Sequence, residues 1–370
     1  MTPIRVLIVD DSVVVRRVLS DTLSGDPGLM VVGTAGNGRI ALAKIPLLKP
    51  DLITLDIEMG VMNGLETLAA VRKLYPKLPV IMFSTLTERG AAATLDALTL
   101  GASDYATKPS SAGSPAAAIE RIRAELIPKI KALCGSVPLK LPALAAHRPA
   151  PKVRAQTNSR IEIVAIGAST GGPNALAEIL PRIPGDFPVP IVVVQHMPPI
   201  FTRLLADRLA SHSAIPVEEG STGVVLQPGH AWIAPGNFHM KVIRAGVNCR
   251  LDLNQAPPEN SCRPAVDVLF RSAAAACGAH VLGVVMTGMG SDGVLGAQDI
   301  RDAGGNVIIQ DEASSVVWGM PGLVHAAGLD DAAYPLDRLA PEITQRVLHS
   351  RSSQPYPDQK GSIALELPAK

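Results

Sequence analysis

Between Ile4 and about Ala124, short aliphatic runs bounded by turn residues alternate with longer segments of helical period. The runs read IRVLIV from Ile4, MVVGTA from Met30, DLITLD from Asp51, PVIMFS from Pro79 and DYATK from Asp104, each ahead of a helix candidate. Continuous Val, Ile and Leu runs are what strands buried on both faces need. Five βα units joined by right-handed crossovers then predict a doubly wound, five-stranded parallel α/β sheet with its sites at the strand C-termini.

The same pattern restarts at IEIVAIGAS from Ile161 and continues through PIVVVQH from Pro190, HVLGVVMTG from His280 and NVIIQ from Asn306. It predicts a second α/β domain with a mainly parallel sheet. Between about Val217 and Leu253 the spacing shortens, and GHAWIAPG and HMKVIRAG read as hairpins inserted beside that sheet. The segment from Gly135 to Arg160 holds four prolines and five Lys or Arg residues but no acid, the composition of a solvated basic linker. The expected organisation is a first domain over 1–124, a helical extension and Pro-rich basic linker over 125–160, a second domain over 161–350, and a mobile polar tail over 351–370.

At 370 residues, two domains of ordinary size are also what chain length favours. A composition 47% hydrophobic and 18% charged suits packed cores and argues against a mainly disordered chain. The formal net charge of +1 gives no overall field toward nucleic acid or a membrane surface. Cys134, Cys249, Cys262 and Cys277 form no C-x-x-C pair, so neither a zinc knuckle nor a disulfide framework is suggested. No signal h-region is evident, and no apolar run approaches the about 18 residues of a membrane helix, so a soluble cytoplasmic protein is expected.

Asp10 and Asp11 close the first expected strand and Asp56 the third, so three carboxylates converge at one strand-end crevice. Such a cluster is tolerable around a hard divalent cation such as Mg²⁺. The ion would also neutralise an incoming phosphoryl group and let Asp56 form an aspartyl phosphate. Lys108 could reach the same phosphate, and the Ser84 hydroxyl could report its arrival.

In the second half, Gly167, Ala168, Ser169, Thr170 and Gly171 spell G-x-S-x-G between a strand and a helix, the pattern of a nucleophile elbow. A phosphate-cradling turn is the competing reading, but neither G-x-G-x-x-G nor G-x-x-x-x-G-K-[ST] is present here. His196 closes the next strand as a candidate base, and Asp292, in TGMGSDG, as the orienting acid. Taken singly, His196 reads as a strand cap and Asp292 as the N-cap of the helix starting at Gly293. The order Ser, His, Asp differs from that of the α/β-hydrolases. Met289 lies on a Gly-flanked loop and is the candidate oxyanion donor; Thr170 offers either a second hydrogen bond or a helix start.

The DD pair at 10 and 11, Asp56, Ser84 and Lys108–Pro109 resemble the receiver domains of bacterial response regulators. That resemblance implies a flavodoxin-like fold, phosphorylation of Asp56 by a histidine kinase, and Tyr105 as the switch aromatic. GASTGG at 167–172, QHMP at 195–198, PAVDVLF at 264–270, TGMGSDG at 287–293 and QDEASSVVWGMP at 310–321 resemble the chemotaxis protein-glutamate methylesterases, the CheB family. The resemblance implies hydrolysis of glutamate methyl esters on the cytoplasmic signalling helices of chemoreceptors, with glutamine deamidation in some members. It carries the role of nucleophile onto Ser169, base onto His196, acid onto Asp292 and oxyanion position onto Met289. Ser291, where asparagine is common, and Tyr105, where phenylalanine is frequent, are local departures. No cofactor is expected in the second domain, and neither nucleic-acid binding nor membrane insertion is expected of the chain. The alternatives are an esterase or deamidase serving a protein outside chemotaxis, and a non-catalytic docking module. A DNA-binding effector is disfavoured because the second half is α/β and shows no basic recognition helix.

Overall fold

The structure, a computed structural model, describes residues 2–108, 115–135 and 159–352. Pro109, most of the expected linker and the expected tail beyond Ser352 lie outside the described residues. In the first half, β1 (Ile4–Val9), β2 (Leu29–Ala35), β3 (Leu52–Asp56), β4 (Val80–Ser84) and β5 (Asp104–Thr107) form one parallel sheet in the order β2-β1-β3-β4-β5. Helices α1 (Val13–Ser24), α2 (Gly38–Leu48), α3 (Gly64–Leu74), α4 (Glu88–Thr99) and α5 (Pro115–Leu133) complete the doubly wound sandwich. Ser12, Asn37, Asn63 and Thr87 each accept a backbone N–H at the start of the following helix, satisfying donors that a helix leaves open. Because Val9 pairs in register with Leu55, Asp10 and Asp56 emerge together at one edge.

The second half is built on seven parallel strands: β6 (Ile163–Ala168), β7 (Ile191–Gln195), β8 (Val217–Glu219), β9 (Ala231–Ile233), β12 (Val281–Val285), β13 (Asn306–Gln310) and β14 (Ala332–Tyr334). Their order is β14-β13-β12-β6-β7-β9-β8, which puts β6 between β12 and β7 where the strand sequence reverses direction, the usual position of a site in such sheets. Strands β10 (His239–Ala245) and β11 (Asn248–Asn254) form an antiparallel hairpin beside it. Thus HMKVIRAG forms the expected hairpin, whereas GHAWIAPG does not. Its Ala231–Ile233 core is fully buried and pairs parallel with β7 and β8, because an apolar triplet gains more as an inner strand than as half of a surface ribbon.

Helices α6 (Gly172–Ile179), α7 (Phe201–Ala210), α8 (Val266–Cys277), α9 (Val294–Asp302), α10 (Met320–Ala326) and α11 (Leu336–Ser352) cover the second sheet. Arg351 and Ser352, expected in the tail, close α11; Arg351 donates to the Pro188 carbonyl at 2.9 Å. No helix among the described residues is long and apolar enough to cross a membrane.

The two halves pack against each other. One apolar cluster runs from Leu95, Leu98 and Tyr105 of the first to Leu176, Phe201 and Leu205 of the second. The rings of Tyr105 and Phe201 stack at 4.8 Å and 9°. Around them, Asn174 donates to the Leu98 carbonyl at 2.8 Å, Arg208 pairs with Asp96 at 2.8 Å, and Arg203 pairs with Glu88.

Candidate active site

Ser169 is the first residue after β6. Its N–H donates to the Thr287 carbonyl at 3.0 Å, and its carbonyl accepts from the Gly172 N–H at 2.8 Å and Gln195 Nε2 at 2.9 Å. The turn needs glycine at 171, where φ is +78° and a Cβ would lie 2.7 Å from Val316. A Cβ on Gly288 would come within 2.8 Å of Ser169 Cβ, so glycine there lets the loop carrying Met289 close on the serine.

His196 follows β7 directly, and its N–H donates to the Ala168 carbonyl at 3.1 Å, so Ser169 and His196 leave the sheet as neighbours. The imidazole Nε2 lies 2.7 Å from Asp292 Oδ2. Asp292, 2% exposed, accepts from the backbone N–H of Val266 at 2.7 Å and of Asp267 at 2.9 Å, and from Asn260 Nδ2 at 3.1 Å. Burial pushes this carboxyl up, but His196 and the two N–H groups outweigh burial and hold it below the usual carboxylate range. Burial pulls His196 down, but Cys262 and Asp292 outweigh it and raise the imidazole above its ordinary range.

Asp292 does not cap the helix that follows it. Gly293 occupies that N-cap of α9, while Asp292 accepts the first N–H groups of α8. Asp267, in the first turn of α8, accepts the N–H groups of Gly293 and Gly296 at 2.9 and 2.7 Å. Each helix start is therefore satisfied by the acid belonging to the other, which locks the Asp292 loop against α8. Burial, helped by the charge of Asp292, pushes Asp267 up to about 7, so the negative charge of this pair resides on Asp292.

The structure brings His196 and Asp292 into contact but does not bond the Ser169 hydroxyl to the imidazole. That hydroxyl makes no hydrogen bond among the described residues, and the second ring nitrogen, Nδ1, faces Cys262 Sγ at 3.6 Å. The Thr170 hydroxyl, expected to serve substrate or the helix start, donates to Asp104 Oδ2 of the first domain at 2.9 Å. Lys129 holds the same carboxylate at 3.2 Å.

At the first domain's strand ends, Lys108 Nζ lies 2.9 Å from Asp10 Oδ2 and 2.7 Å from Asp56 Oδ2. Asp10 and Asp56 are buried and Asp11 is exposed. Burial pushes Asp56 up to about 6, with Lys108 opposing it and Asp10 adding to it. One oxygen from each of the three acids lies within 4.8 Å of the others, a hard-oxygen donor set that fits Mg²⁺. The Ser84 hydroxyl donates to the Gly90 carbonyl at 3.1 Å, and Tyr105 is buried against Phe201 and Lys129.

The model of the response regulator receiver domain matches residues 6–120, and that of the CheB methylesterase matches residues 164–343. The protein-glutamate methylesterase/protein-glutamine glutaminase of Trichodesmium erythraeum is 55% identical over 351 residues, 94% of this chain and all of that one. The chain belongs to the CheB methylesterase family. A second member, from Nocardioides, is 51% identical over 362 residues, covering 95% and 98% of the two chains. Receiver domains imply Mg²⁺ at the phosphorylation site as the usual ion.

Asn260, Cys262, Asp104 and Asp267, which lies within PAVDVLF, make contacts at the site that the sequence pattern did not indicate. A carboxylate two residues into a helix near the candidate orienting acid is a signal that could have found Asp267. Nothing in the pattern around Cys262 or Asp104 marks their partners, which are brought together by loop path and by domain packing.

Proposed function

We propose that this chain is a phosphorylation-activated serine hydrolase that removes methyl groups from glutamate methyl esters on the cytoplasmic helices of chemoreceptors. The single observation that carries the reading is the His196–Asp292 pair at the strand end adjoining Ser169. With Nε2–H donated to Asp292, the lone pair of the neutral ring sits on Nδ1. Nδ1 takes the Ser169 proton as Oγ attacks the ester carbonyl, and the Met289 N–H is the donor for the oxyanion. The proton passes to the departing methoxide, methanol leaves, and a water activated by the same nitrogen releases the glutamate and restores Ser169. The same groups serve glutamine, with ammonia leaving; both relatives bear both activities in their names.

A receiver over 1–124 would govern a catalytic domain over 161–350 through the linker between them. Asp10, Asp11 and Asp56 would hold Mg²⁺, which when bound offsets the charge of the phosphoryl group. Asp56 accepts that group from a histidine kinase, Lys108 pairs with it, and Ser84 and Tyr105 respond. The contacts of Asp104 with Thr170 and of Tyr105 with Phe201 support a resting state in which the receiver restrains the residues next to the nucleophile. A cytoplasmic location follows from those partners.

Methanol release from methylated receptor membranes tests the chemistry. Ser169→Ala is expected to abolish it while circular dichroism and melting temperature stay near wild type. Near-full activity in that variant would remove Ser169 from the mechanism.

A further inference from the structure

Cys262 has no part in the hydrolytic steps, yet its sulfur is the group facing the nitrogen that must accept the serine proton, at 3.6 Å. Zinc binds thiolate at about 2.3 Å and imidazole at about 2.0 Å, so a tetrahedral ion bridging the two sets them about 3.5 Å apart. The observed separation therefore admits Zn²⁺ with little rearrangement. Sγ of Cys262, a nitrogen of His196 and a carboxylate oxygen of Asp292 also lie within 4.8 Å of one another.

The far side of the ring completes the pattern. Nε2 is held by Asp292 at 2.7 Å, and Asp292 is itself fixed by Asn260 and two backbone N–H groups. A carboxylate on the nitrogen opposite the metal fixes the tautomer and orientation of a zinc-binding histidine. His196 and Cys262 are both only partly buried, so neither is closed off from ions in solvent.

We propose that Cys262 Sγ and His196 Nδ1 form a two-ligand site for Zn²⁺ or another thiophilic divalent cation, which inhibits the hydrolase by occupying its base nitrogen. This inhibition rests on the hydrolase reading above, although binding does not. On binding, the Cys262 thiol releases its proton to solvent, a protonated His196 likewise releases the proton on Nδ1, two metal–ligand bonds form, and water fills the remaining positions. No oxidation or reduction is involved. Two protein ligands make the site weaker than a four-ligand structural one, so it acts reversibly.

The test uses the full-length chain carrying Cys249→Ser and Cys277→Ser, which removes the other close thiol pair, 3.4 Å apart. It is compared with the same chain carrying Cys262→Ser or Cys262→Ala in addition. Co²⁺ is titrated in metal-free buffer, its thiolate charge-transfer absorption followed, and Zn²⁺ then used to displace it. The absorption is expected only when Cys262 is present. With Zn²⁺ at about ten times the dissociation constant so measured, methanol release is expected to fall about tenfold and to recover with chelator. The Cys262 variants are expected to keep their own metal-free rates. Equal cobalt spectra with and without Cys262 would overturn the site, and equal zinc sensitivity would overturn its inhibitory role. If no chain releases methanol while the cobalt spectra still differ, the binding site stands and the hydrolase reading fails.

Discussion

The negative charge at Asp292 has two consequences for His196: it selects the tautomer that leaves Nδ1 free for the proposed base role, and, after the larger influence of Cys262, it helps to raise the imidazole pKa despite burial. A raised pKa means the ring stays protonated, and unable to accept a proton, further into the neutral range than a free imidazole. The rate is therefore expected to climb with pH through neutrality. Asp292→Asn is expected to lower kcat by about 10⁴-fold, as loss of the orienting acid does in other serine triads, and to move the remaining acid limb toward lower pH. Profiles of kcat/KM against pH for the two proteins check both; an unmoved limb would mean that Asp292 does not set the ionisation of His196.

These residue-level features were unequally legible. Ser169 and His196 each directly follow a continuous aliphatic strand, so the hydrophobic pattern sends both to one sheet edge, whereas Asp292 lies on the Gly-rich loop beyond β12 and its placement depends on that loop's path. The reciprocal pairing of Asp267 and Asp292 was not legible, because which helix a carboxylate caps depends on how α8 and α9 approach in space. The alternative reading of Asp292, taken singly as a cap for its own helix, fails, because it accepts the first N–H groups of α8 instead.

Among the elements, the turn from β6 into α6 is tightly constrained. Gly171 takes a left-handed conformation with Val316 against it, so Gly171→Ala is expected to cost about 1–2 kcal/mol from backbone conformation, plus whatever Val316 must yield. Thermal or urea unfolding reads the loss. At the start of α8, Ala265 supplies no side-chain cap and Asp292 replaces it, so Asp292→Ala is expected to lower stability by about 1–2 kcal/mol. Asp292→Asn, which keeps an acceptor oxygen, is expected to lose less stability than the alanine variant. The aliphatic runs predicted most strands to within a few residues. Ala231–Ile233 was misplaced because three buried residues carry too little pattern to tell an inner strand from a hairpin arm.

For the whole molecule, the central matter is how firmly the first domain restrains the second. The exposed Arg208–Asp96 pair contributes little, since surface ion pairs are screened and cost side-chain entropy. The stack of Tyr105 on Phe201 contributes more, about 0.5–1.5 kcal/mol beyond its buried area. Each 1.4 kcal/mol or so by which the docked arrangement is weakened raises the undocked population about tenfold while docking still dominates. Tyr105→Ala and Asp104→Ala are accordingly expected to raise the unphosphorylated rate several-fold, read as methanol release without phosphodonor. Sequence could not show this surface: the strands that build each domain are written in local pattern, but the docking of Asp104 on Thr170 joins residues of two separate patterns.

The most direct test is the rate of methanol release by the full chain before and after addition of Mg²⁺ and a small-molecule phosphodonor, with Asp56→Asn in parallel. A marked rise for the wild type and a flat response for Asp56→Asn are expected. Equal rates with and without phosphodonor in the wild type would contradict a hydrolase restrained by its receiver domain.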